Sequence, residues 1–141
     1  MSVNRLKELG ALGQSLWLDY IRRDLFASGE LRRLIGQDGV RGMTSNPAIF
    51  EKAIAESHIY DGEIQTLAAA GNGPETIYEK LTQSDVESAA DEFRALYDSC
   101  DGGDGYVSLE VNPHLAHDAR GTIAEGRRLW AALDRPNVLI K

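Results

Sequence analysis

Residues 40–50 read Val40-Arg41-Gly42-Met43-Thr44-Ser45-Asn46-Pro47-Ala48-Ile49-Phe50. Residues 40–44, entered through the Asp38-Gly39 turn signal, predict a short strand. Pro47 suits the first turn of a helix that runs through Phe50 and Ile54. Three polar residues, Thr44, Ser45 and Asn46, stand between strand and helix. A strand that turns directly into a helix is the joint of a parallel α/β fold.

The same pattern repeats outward. Residues 15–21 predict a strand of aromatic and apolar residues with Asp19 set inside it. Residues 106–111 predict another, entered through Asp101-Gly102-Gly103-Asp104-Gly105. Residues 138–140 predict a fourth, after Arg135-Pro136-Asn137 and closed by Lys141. Helical patterns separate the strands. Ser28 is the expected cap of a helix through Leu31, Leu34 and Ile35. Ile59, Ile64 and Leu67 mark a helix that stops near Gly71. Pro74 opens a longer stretch whose stripe is Ile77, Leu81, Val86, Ala90, Phe93 and Tyr97. Asp118 is the expected cap of a last helix, with Ile123, Leu129, Trp130 and Leu133 as its apolar contacts. This β-α-β-α-β-α-β order predicts a parallel sheet with right-handed crossovers and no second domain.

Composition narrows the function classes. The chain has 141 residues, 43% of them hydrophobic, with 15 Lys+Arg against 22 Asp+Glu. The net charge of −7 argues against nucleic acid as the main partner, because phosphate binding needs a positive footprint. No apolar run is long enough for a membrane span, and residues 1–10 lack a secretory core. A cytoplasmic protein is the expectation. Cys100 is the single cysteine, so neither an intrachain disulfide nor a cysteine metal cage is expected. The length falls short of a complete (β/α)8 barrel, which rarely has fewer than roughly 200 residues.

Polar residues recur where each predicted strand ends: Asp19, then Thr44-Ser45-Asn46, then Glu110, then Lys141. In parallel α/β folds ligands bind at that end. The competing reading is that each residue caps a helix or ties a loop. Lys141 stands apart from the other three lysines. Lys7, Lys52 and Lys80 lie on helical segments among polar neighbours, whereas Lys141 follows Val138-Leu139-Ile140. A lysine embedded at a buried strand end is desolvated, which favours its neutral, nucleophilic form. Asp19 and Glu110 are candidate acid and base groups beside it.

Residues 42–50 closely resemble the Thr-Ser-Asn-Pro signature of the transaldolases. The resemblance runs along the chain. Leu16-Trp17-Leu18-Asp19 is similar to the family's first strand. Val107-Ser108-Leu109-Glu110-Val111 is similar to the third, and Asn137-Val138-Leu139-Ile140-Lys141 to the fourth. The long second crossover matches the longer bacterial members. Met43 departs from the smaller residues usual in the signature, with only a packing consequence expected.

The resemblance implies a parallel (β/α)8 TIM barrel, residues 1–141 being the N-terminal half of one barrel domain. It implies transfer of a dihydroxyacetone unit from sedoheptulose 7-phosphate to glyceraldehyde 3-phosphate, in the non-oxidative pentose phosphate pathway. By position, Lys141 would form the Schiff base and Asp19 would be the general acid/base. Glu110 would act through a water, and Asn46 would bind the donor hydroxyls, with Thr44 and Ser45 shaping the loop. Sugar phosphates are the expected partners, with no cofactor and no metal. Open strand edges raise self-association into a homo-oligomer. The alternatives are another class I Schiff-base aldolase, or an inert, non-enzymatic half-barrel.

Other signals are weaker. His114 and His117 have a metal-pair spacing but no further evident ligand. The loop 101–105 fails the EF-hand pattern. Arg22-Arg23 and Arg32-Arg33 read as solvated charges, the former pair with a weak prospect of touching substrate phosphate. Trp17, Trp130 and Cys100 read as buried.

Overall fold

A computed structural model describes residues 4–141. Among these, four strands form one sheet: β1 (Trp17–Asp19), β2 (Gly42–Thr44), β3 (Tyr106–Leu109) and β4 (Val138–Ile140). All pairings are parallel and the order is β1-β2-β3-β4. This sequential parallel order is that of half a (β/α)8 barrel. β1 and β4 form the edges, as expected. The strands are shorter than the sequence suggests. Ser15, for example, lies outside β1, where its hydroxyl donates to Asp104 Oδ1 at 2.5 Å.

The helices are α1 (Arg5–Ala11), α2 (Asp24–Ala27), α3 (Glu30–Arg33), α4 (Pro47–Ala55), α5 (Asp61–Ala69), α6 (Pro74–Ser99) and α7 (Ala119–Leu133). A π-helical turn, Leu34–Asp38, follows α3, and a 3₁₀ turn, Pro113–Leu115, follows β3. Caps explain several of these boundaries. Asp118 accepts from the Gly121 N–H at 2.9 Å and starts α7. Pro74 occupies the first turn of α6, which runs 26 residues as one helix. The start of α3 differs from expectation. Gly29, at φ 76°, is its N-cap, and Ser28 instead ends α2. Glycine tolerates that left-handed conformation, where serine is strained.

The core lies between the sheet and the helices. Met43, Val107 and Val138 share one row across the sheet. They pack with Leu31, Phe50, Val86 and Phe93, all buried. Removing each large side chain from water contributes about 1.5–3 kcal/mol. Met43 is fully buried, the packing role its departure from the signature suggested. A second, smaller cluster joins Ala53, Tyr60 and Leu81 beneath α5 and α6.

The two tryptophans are less buried than the sequence suggests. Trp130 is 53% exposed and Ile123 56% exposed; both line the groove along the edge of β4 that has no neighbouring strand among the described residues. Trp17 is half-buried. Its indole crosses Gly42, where any Cβ would sit 2.4 Å from Cε2. Cys100 is also half-buried, at the end of α6. No helix among the described residues is long and apolar enough to cross a membrane.

Candidate active site

Side chains alternate along a strand, so one face of this sheet meets the helices and the other does not. Met43, Val107 and Val138 take the helix face. Asp19, Thr44 and Leu139 are each one residue further along, and so take the opposite face. Leu139 is 43% exposed there, and Asp19 is exposed too. Glu110 and Lys141 stand two residues beyond the Ser108–Leu139 row, on the same face. The ladder continues through them: Lys141 N–H donates to Leu109 O, and Val111 N–H to Lys141 O, each at 2.9 Å. Glu110 and Lys141 are therefore direct neighbours across β3 and β4.

The polar residues form two pairs. Thr44 Oγ1 donates to Asp19 Oδ1 at 2.5 Å, joining the ends of β1 and β2. Lys141 Nζ lies 2.9 Å from Glu110 Oε1, joining the ends of β3 and β4. Both pairs stand at the carboxyl end of the sheet and on its free face. In a flat sheet Asp19 and Lys141 would be about 14 Å apart laterally, three strand spacings. Curvature into a barrel turns the two pairs toward each other.

The Lys141 side chain is 43% exposed among the described residues. Among the described residues β4 has a neighbour only on its β3 side, so nothing covers its other edge. An open groove of about 560 Å³ follows that edge, lined by Ile123, Trp130, Leu139 and Lys141.

The residues of the polar triplet divide their work. Asn46 caps α4, its Oδ1 accepting from the Ile49 N–H at 2.9 Å. The cap commits the amide oxygen, so the Nδ2 donors face elsewhere. Ser45 is fully buried and donates to Ser108 O at 2.6 Å, which ties β2 to β3. A cavity of about 490 Å³ opens beside Asn46 and Glu110, with Tyr78 and His114 in its wall. Burial, together with the negative charge of Glu110, raises the Tyr78 phenol above its usual range. This cavity and the Thr44–Asp19 bond escaped the sequence, because both depend on register and on how α6 meets the sheet. Among the described residues no cluster of three or more His, Cys, Asp or Glu could hold a metal.

Residues 16–141 match the family model described as Transaldolase/Fructose-6-phosphate aldolase. A transaldolase of Nostoc punctiforme, named Transaldolase 2, is 46% identical over 141 residues, all of this chain and 37% of the relative. The transaldolase of Thermobifida fusca is 48% identical over 136 residues, 96% of this chain and 37% of the relative. That of Thiobacillus denitrificans is 47% identical over 139 residues, 99% of this chain and 39% of the relative. The chain thus spans less than half the length of these curated relatives.

Proposed function

The chain belongs to the transaldolase/fructose-6-phosphate aldolase family, and on that premise we propose that the complete protein is a transaldolase. It transfers a dihydroxyacetone unit from sedoheptulose 7-phosphate to glyceraldehyde 3-phosphate, in the non-oxidative pentose phosphate pathway of the cytoplasm. Residues 1–141 form the N-terminal half of a single (β/α)8 barrel domain. Self-association into a homo-oligomer belongs to this reading through the open strand edges, and neither nucleic acid nor membrane is a partner.

The observation that carries this reading is the Glu110–Lys141 pair at 2.9 Å. An ammonium cannot attack a carbonyl, so Lys141 must first lose a proton. Glu110 receives it through a water. The neutral Nζ then adds to the ketose carbonyl, and loss of water from the carbinolamine gives the iminium. Asp19 next takes the proton of the hydroxyl on the carbon being released. The carbon–carbon bond breaks, its electron pair moves into the iminium, and an enamine remains on Lys141. Erythrose 4-phosphate leaves. The enamine then attacks glyceraldehyde 3-phosphate, Asp19 returns its proton to the new hydroxyl, and hydrolysis releases fructose 6-phosphate. The iminium takes the electrons, so the route needs no metal or cofactor.

Thr44 donates to Asp19 and holds one oxygen in place, leaving the other for the substrate hydroxyl. The Asn46 amide donates to the donor's hydroxyls. Ser45 contributes through the loop it anchors. Residues 1–141 alone turn over little or nothing, because half of the barrel's strand ends must supply the remaining contacts.

A transfer assay with the complete barrel tests this reading. Formation of erythrose 4-phosphate and fructose 6-phosphate supports it. Release of free dihydroxyacetone without an acceptor would favour an aldolase of the same family. No reaction of either kind would contradict both.

A further inference from the structure

A buried polar cluster sits behind the segment that carries Asp19. Arg23 follows Asp19 by four residues. Its backbone N–H donates to Tyr60 Oη at 3.2 Å, and Tyr60 Oη donates to Asp85 Oδ2 at 2.6 Å. The Arg23 side chain closes the ring. Nε donates to Asp85 Oδ1 at 2.9 Å, and Nη1 pairs with Glu63 at 2.5 Å. The guanidinium also lies over the Tyr60 ring, 4.6 Å from its centroid. Tyr60 is 0% exposed and Asp85 1% exposed.

Such a cluster is costly where a member lacks a partner, and Arg23 Nη2 is buried with none among the described residues. Burial raises the Asp85 carboxyl, while the Tyr60 hydroxyl and the Arg23 guanidinium pull the other way. Burial and the bond to Asp85 also hold the Tyr60 phenol well above its usual range. Three separate stretches meet here: the loop after β1, the approach to α5 and the middle of α6. The short run from Asp19 to Arg23 has a second anchor, Ile21, which is fully buried. The loop after β1 is thus fixed at both an apolar and a polar point. Removing one polar point lets the chain just beyond Asp19 shift.

We infer that Tyr60, Asp85 and Arg23 are positioning residues that hold Asp19 at the angle needed for carbon–carbon cleavage. The inference rests on the transaldolase reading. It also separates two steps of the reaction. Imine formation on Lys141 uses Glu110, whereas cleavage uses Asp19. A shift confined to the β1 loop therefore slows cleavage and leaves imine formation intact.

The test uses Tyr60→Phe in the complete barrel, which removes only the hydroxyl. Two rates are read: borohydride-trapped adduct on Lys141, and aldehyde release from the donor ketose. The expected result is wild-type trapping, an unchanged donor KM, and release slowed roughly 10- to 100-fold, since a small misplacement is enough for that loss. Asp85→Asn, which keeps the shape and alters the bonds, should show the same split. Equal loss in both rates, or wild-type values for both, would overturn the inference. So would failure of both variants to fold, which would make the cluster a folding element only. Absence of any adduct in the unsubstituted protein would instead overturn the Schiff-base reading.

Discussion

Lys141 Nζ and Glu110 Oε1 lie 2.9 Å apart at neighbouring positions on two parallel strands. Their side chains are 43% and 33% exposed, and an exposed pair of this kind contributes only about 0–1 kcal/mol to stability. The proposed reaction gives the contact a further use, as a proton acceptor set beside an amine. Glu110→Gln in the complete barrel should therefore slow imine formation, by roughly 100-fold or more, while the melting temperature changes little. Single-turnover trapping with borohydride measures the first effect and thermal denaturation the second.

Asp19 and Lys141 belong to different pairs, and the proposed reaction uses them in different steps. Asp19→Asn keeps the size of the side chain and removes its basicity. Transfer should fall by about 100- to 10,000-fold, the usual range for a lost acid/base group. Adduct formation on Lys141 should persist. A parallel measurement of steady-state transfer and of trapped adduct checks this, and loss of both would assign Asp19 to imine chemistry instead.

The proposed reaction gives Asn46 a second role beside its observed cap, on a different atom. Its Oδ1 caps α4, and its Nδ2 is assigned to the substrate. Asn46→Asp retains the capping oxygen and removes the amide donors. It should fold with near-normal stability and raise the donor KM. Asn46→Ala should raise KM similarly and also lower stability by about 1 kcal/mol, the usual cost of a lost cap. Denaturant unfolding and steady-state kinetics on both variants separate the two atoms.

Phe93 fills the space between α6 and the sheet, and is fully buried. Phe93→Ala should cost about 3–5 kcal/mol, the lost transfer free energy plus the cavity left behind. Urea denaturation of the complete barrel reads this as a lower midpoint with an unchanged slope.

The sheet was legible because strand ends announce themselves by residue type. Asp19, Thr44, Glu110 and Lys141 each close a predicted strand, and they stand as two pairs at the carboxyl end of the sheet. Pro47, Pro74 and Asp118 marked helix starts through local chemistry that needs no tertiary context. What the sequence hid were matters of register and docking. Two adjacent arginines, Arg22 and Arg23, look alike in sequence. Yet Arg22 pairs locally with Asp24, whereas Arg23 reaches Asp85, 62 residues away. Trp130 is exposed along the edge of β4 that has no neighbouring strand among the described residues. A helix stripe shows that residues share a face, but not how wide a strip of that face the sheet covers. Ser45 shows the limit within a motif. It lies between Thr44 and Asn46, and strand alternation turns it to the interior.

In the proposed reaction Lys141 is the residue that binds the donor sugar covalently. Borohydride reduction of the complete barrel in the presence of sedoheptulose 7-phosphate, followed by peptide mass spectrometry, tests it most directly. A reduced dihydroxyacetone adduct on Lys141 is the expected result. No adduct, or one on Lys7, Lys52 or Lys80, would contradict it.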